Sequence, residues 1–282
     1  MTHRISDAQN DPAQNFLALN THFKRRVVPD LQRYFIPTEN WKDNKVTITD
    51  DDAHHIIRVM RSRTGDEIIC SHPDGKAAVC RITDIVKNMV YAIVSEWLEE
   101  SAESPIEMTI AQGLPKSDKL EFVLQKGTEL GAASFIPVQA DRSVSVWDQK
   151  KAEKKLQRYS KIIKEASEQS HRNKIPSIGT VTSTTDLAMN SNDYQVKLFA
   201  YEEEAKIEVF QSFGRAVSKM SPGDRVLLVI GPEGGFSSRE ADVLKQNEFI
   251  PVRLGPRILR TETAALYALA SISYHFEELR WT

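Results

Sequence analysis

The rhythm of apolar and polar positions changes near residue 105. From Leu31 to Glu99 short runs alternate apolar and polar residues, the period of half-buried strands. Val46–Thr49, Asp66–Cys70, Ala77–Ile82 and Met89–Ser95 read as strands. Lys87-Asn88 and Pro73-Asp-Gly-Lys76 separate them. Pro-Asp-Gly turns for a physical reason: proline fixes φ and glycine accepts a positive φ. Asp50 to Asp52 are placed to cap a short helix bearing His54, His55, Ile56, Ile57 and Met60. Close-set short strands predict a small barrel or sandwich. The polar stretch Glu99 to Pro105 reads as a linker.

Beyond Pro105 strands alternate with helices, which predicts a mostly parallel α/β sheet. The strands expected are Ile106–Ala111, Ala133–Val138, Val196–Ala200, Arg225–Ile230 and Ile250–Leu254. Arg225–Ile230 is the most apolar, so it belongs at the centre, buried on both faces. Pro251 argues for an edge or irregular position for its strand. One helix is expected over Lys119–Leu130, capped by Asp118 with Glu121 and closed by Gly131. A second runs from about Lys150 to Ser170, and a third follows the capping box Ser237/Glu240. A final Ala-rich helix, capped by Thr261, runs to about Glu278. Residues 1–30 are polar and weakly patterned, and read as a flexible extension.

Composition narrows the function classes. The chain has 282 residues, enough for two unequal domains, and a net charge of −2. No run approaches a membrane span and no secretion signal is recognisable, so the expected compartment is the cytoplasm. Cys70 and Cys80 then read as two buried thiols, and no Cys/His spacing suggests a metal. His54 and His55 read as packed or capping groups. Charge is uneven: between Gln149 and Lys174, nine Lys or Arg stand against three Glu, a balance of +6. Such a stretch serves either as a solvated helix face or as a phosphate contact.

The chemistry concentrates in two loops. Gly231-Pro-Glu-Gly-Gly-Phe236 follows the most apolar strand directly. It is neither the dinucleotide fingerprint nor the P-loop. Ligands of parallel α/β sheets bind at the carboxyl ends of strands, where glycines let backbone approach closely. The next strand repeats the arrangement with Leu254-Gly-Pro-Arg-Ile-Leu-Arg-Thr-Glu-Thr263. Arg257, Arg260 and Glu262 stand there among apolar residues. Arginines beside such a loop suit phosphate or uracil carbonyls, and a structural Arg260–Glu262 ion pair is the plainer alternative.

These loops resemble those of the SPOUT methyltransferases, specifically the RsmE group, which methylates N3 of a uridine in small-subunit ribosomal RNA. Three further segments carry the resemblance in order. His55-Ile-Ile-Arg58-Val-Met-Arg61 is similar to an N-terminal H-x-x-R-V-x-R segment. Leu114-Pro-Lys116-Ser-Asp118-Lys119, with Gln125-Lys126 and Glu129-Leu130-Gly131, resembles the start of the catalytic domain. Glu168-Gln-Ser-His-Arg172 resembles an E-Q-x-x-R segment. The extension before Leu31 departs from the usual start of the group.

The resemblance implies an α/β SPOUT domain with a C-terminal trefoil knot over residues 104–282, and a PUA-like RNA-binding β-barrel over residues 31–100. It implies S-adenosylmethionine as cofactor, a homodimer, and 16S rRNA, free or within the small ribosomal subunit, as partner. The cofactor residues implied are Ile230, Gly231, Glu233, Gly234, Gly235, Leu254, Gly255, Ile258, Leu259 and Thr261. Arg260 is the candidate for stabilising charge on a uracil carbonyl, with Glu262 or Glu233 as proton acceptor. RNA contacts are expected from Arg33, Arg58, Arg61, Lys116, Lys126 and Arg172, with Tyr34 as a stacking surface. The rival functions are a ribose 2'-O-methyltransferase of the same fold and a non-catalytic rRNA-binding assembly factor.

Overall fold

Strands β1 (Arg33–Phe35), β2 (Trp41–Lys42), β3 (Lys45–Ile48), β4 (Glu67–Ser71), β5 (Ala77–Val86) and β6 (Met89–Leu98) form one sheet in the order β1-β4-β5-β6-β3-β2. The structure is a computed structural model and describes residues 31–99, 101–201 and 211–279. The expected flexible extension at 1–30 therefore lies outside the described residues. All pairings in this sheet are antiparallel except β1 with β4. Period-two burial places Val46, Ile48, Ile68, Cys70, Cys80 and Ile82 in its core. Both cysteines are buried free thiols. Helix α1 (Asp50–His54) passes into a wider turn over His55–Val59 and buries Ala53 and Ile56 against that core.

The second sheet is entirely parallel, in the order β10-β8-β7-β13-β11-β14-β12, with β9 beside β8. Its strands are β7 (Glu107–Gly113), β8 (Ser134–Gln139), β9 (Ser177–Ile178), β10 (Thr182–Ser183), β11 (Val196–Ala200), β12 (Gln211–Ser212), β13 (Arg225–Ile230) and β14 (Ile250–Arg253). The central place of β13 is as expected, and its side chains alternate between two cores. Val226, Leu228 and Ile230 face one, while Leu227 and Val229 face the other. Helices α2 (Lys119–Glu129), α3 (Gln149–Gln169), α5 (Phe213–Val217) and α7 (Thr261–Ser273) cover the first face. Helices α4 (Thr184–Met189) and α6 (Ser238–Gln246) cover the second. The short β9, β10, β12, α4 and α5 gave too weak a periodic pattern to be read from sequence.

Several expectations need correction. Asp118 precedes α2 but its side chain makes no cap, because its backbone is not extended (φ −91°, ψ 12°). Glu121 instead accepts from Arg158 Nη2 of α3 at 2.7 Å. Thr261 is the first residue of α7, not its cap, and the cap position falls to Arg260. Within the expected linker, Glu103 is anchored: it pairs with the buried Arg172 and accepts from the N–H groups of Asn173 and Lys174. Pro251 sits in a strand flanked by β11 and, from Val252 on, by the two-residue β12.

Polar contacts fasten the first sheet to the second. Arg33 Nη1 donates to Ser71 Oγ at 3.0 Å and to the Arg172 carbonyl at 3.1 Å. Lys164 of α3 lies 2.5 Å from Asp52, and Asn173 Nδ2 donates to the Gly75 carbonyl. Arg172 Nη1 also donates to the carbonyls of Thr128 and Ala132.

Candidate active site

The chain leaves β13 and β14 at the same end of the sheet, and the loops that follow bound a cavity of about 790 Å³. Ile230, Leu254 and Leu259 give it apolar walls, and Gly231, Glu233, Gly234 and Gly235 give it a backbone edge. A volume in this range suits a nucleoside-sized ligand. Gly235 has φ +65° and open space where a side chain would stand, so the backbone there stays accessible. Gly255 has φ +82°, with the hydroxyl of Tyr267 3.6 Å from its missing Cβ.

Residues remote in sequence hold the loops in place. Thr261 Oγ1 donates to the Gly231 carbonyl at 2.6 Å and accepts from Gln112 Nε2 at 2.7 Å. The end of β7 passes directly under the first loop: a Cβ on Gly113 would lie 2.5 Å from the nitrogen of Pro232. Arg142 Nη1 donates to the Gly234 carbonyl at 3.2 Å. Glu240, buried in α6, accepts from Ser237 N, Asp141 N and Thr184 Oγ1. The expected capping box is formed, and its glutamate also ties two other segments to the loop.

Charged groups gather at the cavity. Lys119, at the start of α2, places Nζ 3.0 Å from Glu233 Oε1 and 3.3 Å from Glu262 Oε2. The backbone N–H of Lys116 donates to the same Glu233 oxygen at 3.2 Å. Partial burial pushes the Glu233 carboxyl up, but Lys119 and the backbone donors outweigh it and hold it below its ordinary value. The hydrogen bond Lys119 donates to Glu233, ahead of the Glu262 contact, raises the Lys119 ammonium above its ordinary value. Glu262 Oε2 is buried and out of hydrogen-bond alignment despite its nearness to Lys119. An Arg260–Glu262 ion pair does not form among the described residues; Glu262 faces Lys119, and Arg260 lines the cavity exposed.

Sequence comparison gives this cavity its chemical context. An RNA methyltransferase domain family matches residues 102–273, and an RNA methyltransferase PUA domain family matches residues 48–95. The ribosomal RNA small subunit methyltransferase E of Bacillus subtilis is 47% identical over 253 residues, covering 89% of this chain and 99% of that protein. The chain belongs to the ribosomal RNA small subunit methyltransferase E family. A family member from Neisseria gonorrhoeae, solved bound to S-adenosyl methionine, superposes with a TM-score of 0.76 at 29% identity. That match covers 87% of this chain and 98% of the other. A Legionella pneumophila methyltransferase solved with the same cofactor gives 0.76 at 29% identity, covering 88% and 98%.

All ten candidate cofactor residues line the one cavity, together with Arg260. Glu262 stands behind it, against Lys119. Within this family frame the RNA-contact candidates divide. Arg58, Arg61 and Lys116 are exposed, and Lys126 is half-buried and paired with Glu129. Arg33 and Arg172 are corrected: both guanidiniums are buried and serve the junction between the sheets. Burial lowers the Arg33 guanidinium to about 10. Tyr34 is also corrected, because it is buried and its hydroxyl shares a 2.9 Å hydrogen bond with His55 Nδ1. No metal-binding cluster occurs among the described residues. Gln112, Gly113, Lys119 and Arg142 went unassigned in sequence, because none belongs to the glycine loops they support.

Proposed function

We propose that this chain transfers the methyl group of S-adenosylmethionine to N3 of a uridine in 16S rRNA of the small ribosomal subunit. The observation that carries the reading is the cavity shared by the 231–236 and 254–261 loops, in a chain whose relatives include one solved bound to S-adenosyl methionine and one named for small-subunit ribosomal RNA methylation. The residues present fit the cofactor: an open backbone face at Gly235, apolar walls for an adenine ring, and the Glu233 carboxylate suited to a cationic ligand. When bound, the cofactor supplies a methyl group activated by a sulfonium. The chain's own residues align the acceptor and manage its proton.

Arg260 is assigned to a uracil carbonyl, where charge develops as the N3 proton leaves. Glu262 is assigned as proton acceptor in preference to Glu233. Glu233 already accepts from Lys119 Nζ and Lys116 N, which makes it a poor base.

Residues 31–100 are assigned as a PUA-like RNA-binding module and residues 104–282 as the SPOUT methyltransferase domain. Exposed Arg58, Arg61 and Lys116, and half-buried Lys126, are the proposed phosphate contacts. A trefoil knot at the C-terminal end is supported by the parallel order β7-β13-β11-β14 and by the close crossing of Gly113 under Pro232. A homodimer is supported by Ile258, Tyr267 and Tyr274, large apolar side chains exposed beside the cavity and along the last helix. No described helix is long and apolar enough to cross a membrane, and the cytoplasm is the proposed compartment.

The test is nucleoside mass spectrometry of 16S rRNA from a deletion strain. Loss of one 3-methyluridine, restored by the intact chain, is expected. Unchanged 3-methyluridine, or loss of a ribose methyl instead, overturns the reading.

A further inference from the structure

Lys119 stands out among the groups at the cavity, because its ammonium is oriented from two sides. One N–H is directed to Glu233 Oε1 at 3.0 Å, and Glu262 Oε2 lies 3.3 Å away. Glu233 belongs to the loop after β13, Glu262 to the first turn of α7, and Lys119 to the first turn of α2. Three separate elements therefore fix one cation. An ammonium has three donors; one is hydrogen-bonded to Glu233, and donor capacity beyond the Glu262 contact meets no protein acceptor among the described residues. Lys119 and Arg260 both line the cavity, with Glu262 two residues beyond Arg260 and within reach of Lys119.

We infer that Lys119 is a catalytic residue that donates to one carbonyl oxygen of the target uracil, completing a donor–acceptor–donor set made by Lys119, Glu262 and Arg260. This rests on the proposal that the acceptor is uracil N3. The imide edge of uracil reads acceptor, donor, acceptor: O4, N3–H and O2. Lys119 and Arg260 on the cavity wall offer donors to the two carbonyl oxygens, and Glu262, behind that wall, is the assigned acceptor for the N3 proton. Cytosine, with a donor at N4 and a bare N3, mismatches at two of these positions, and such mismatches leave desolvated polar groups unpaired.

The N3 proton passes to the Glu262 carboxylate. The N3 electron pair forms a bond to the methyl carbon, and the carbon–sulfur bond breaks with its electrons left on sulfur, which becomes a neutral thioether. During transfer the negative charge sits on O4 and O2, opposite Lys119 and Arg260. A pre-oriented cation stabilises such charge with little reorganisation. The groups facing Lys119 are Glu233 and Glu262, with the Lys116 backbone on Glu233, and Arg142 and Arg260 on the cavity wall.

The test compares the full chain with Lys119→Met and Lys119→Arg on a 16S rRNA substrate. Cofactor affinity by calorimetry is expected within about threefold for both variants, since the backbone loops remain. Lys119→Met is expected to lose kcat on the order of 10²-fold, as loss of one oxyanion donor does, with Lys119→Arg recovering most of it. Substrate in which the target is 5-fluorouridine, whose N3–H is more acidic, is expected to rescue Lys119→Met more than it speeds the wild type. Lys119→Gln replaces the Met variant if the latter does not bind cofactor. Equal kcat in wild type and Lys119→Met overturns the inference. A loss that 5-fluorouridine does not relieve also overturns it, since that is the mark of a structural role. If the wild type forms no 3-methyluridine, the underlying function fails instead, and the two failures are thereby distinguished.

Discussion

Thr261 Oγ1 hydrogen-bonds the carbonyl oxygen of Gly231 at 2.6 Å, and so ties the start of the last helix to the first residue after the central strand. The same hydroxyl accepts from Gln112 on the neighbouring strand. One buried side chain thus sets the spacing of both cavity loops.

Thr261→Val keeps the shape and removes the hydroxyl. It leaves the Gly231 carbonyl and Gln112 Nε2 short of a partner, at a cost of about 1–3 kcal/mol. Urea unfolding should show that loss, and calorimetry should show roughly tenfold weaker S-adenosylmethionine binding, equivalent to about 1.4 kcal/mol. Thr261→Ser should restore both.

Arg260→Ala is expected to abolish turnover while cofactor binding stays measurable. Arg260 makes no ion pair among the described residues, so its removal costs the fold little. Methyl transfer at the wild-type rate would remove Arg260 from the mechanism.

Glu240→Ala should destabilise strongly, by roughly 2–5 kcal/mol, because three donors lose a buried acceptor at once. The variant's thermal midpoint checks this. A shift within error of the wild type would mean that water replaces the carboxylate.

Glu103 makes the junction acid-sensitive. Burial pushes its carboxyl up, but the Arg172 guanidinium and the N–H groups of Lys174 and Asn173 outweigh burial and hold it below its ordinary value. Its contribution is therefore complete above the ordinary glutamate range and lost as pH falls through the lower folded-state value. Stability measured from neutral pH downward should decline through that acid window. In Glu103→Gln the decline should be shallower, from a lower starting stability.

RNA affinity should separate surface cations from buried ones. Arg58→Ala and Arg61→Ala are each expected to lower the slope of log affinity against log salt by about one. Arg33→Met should destabilise the fold and leave the slope of the folded fraction unchanged, since its guanidinium is bound to Ser71 and the Arg172 carbonyl.

The strand at Arg225–Ile230 and the basic helix near Lys150–Ser170 were legible in the sequence, because long periodic runs report burial directly. So were the two glycine loops, whose residues line one cavity. Arg33 and Arg172 were misread because charge pattern alone does not distinguish a solvated arginine from one that satisfies buried carbonyls. The capping role read for Thr261 failed for a related reason. Thr261 stands one residue inside the helix, and its Oγ1 accepts from Gln112 Nε2 and donates to the Gly231 carbonyl, not accepting from a backbone N–H of its own helix.

By itself the sequence determined the longer strands and helices, which strand is central, and which two loops bound the cavity. These follow from local periodicity and turn chemistry, which act over a few residues. Only the tertiary structure decided what stands against those loops: Gly113 beneath Pro232, Gln112 on Thr261, Arg142 on Gly234, and Lys119 between Glu233 and Glu262. Those partners come from β7, from the segment after β8 and from α2, and parallel strand order, not sequence neighbourhood, brings them together.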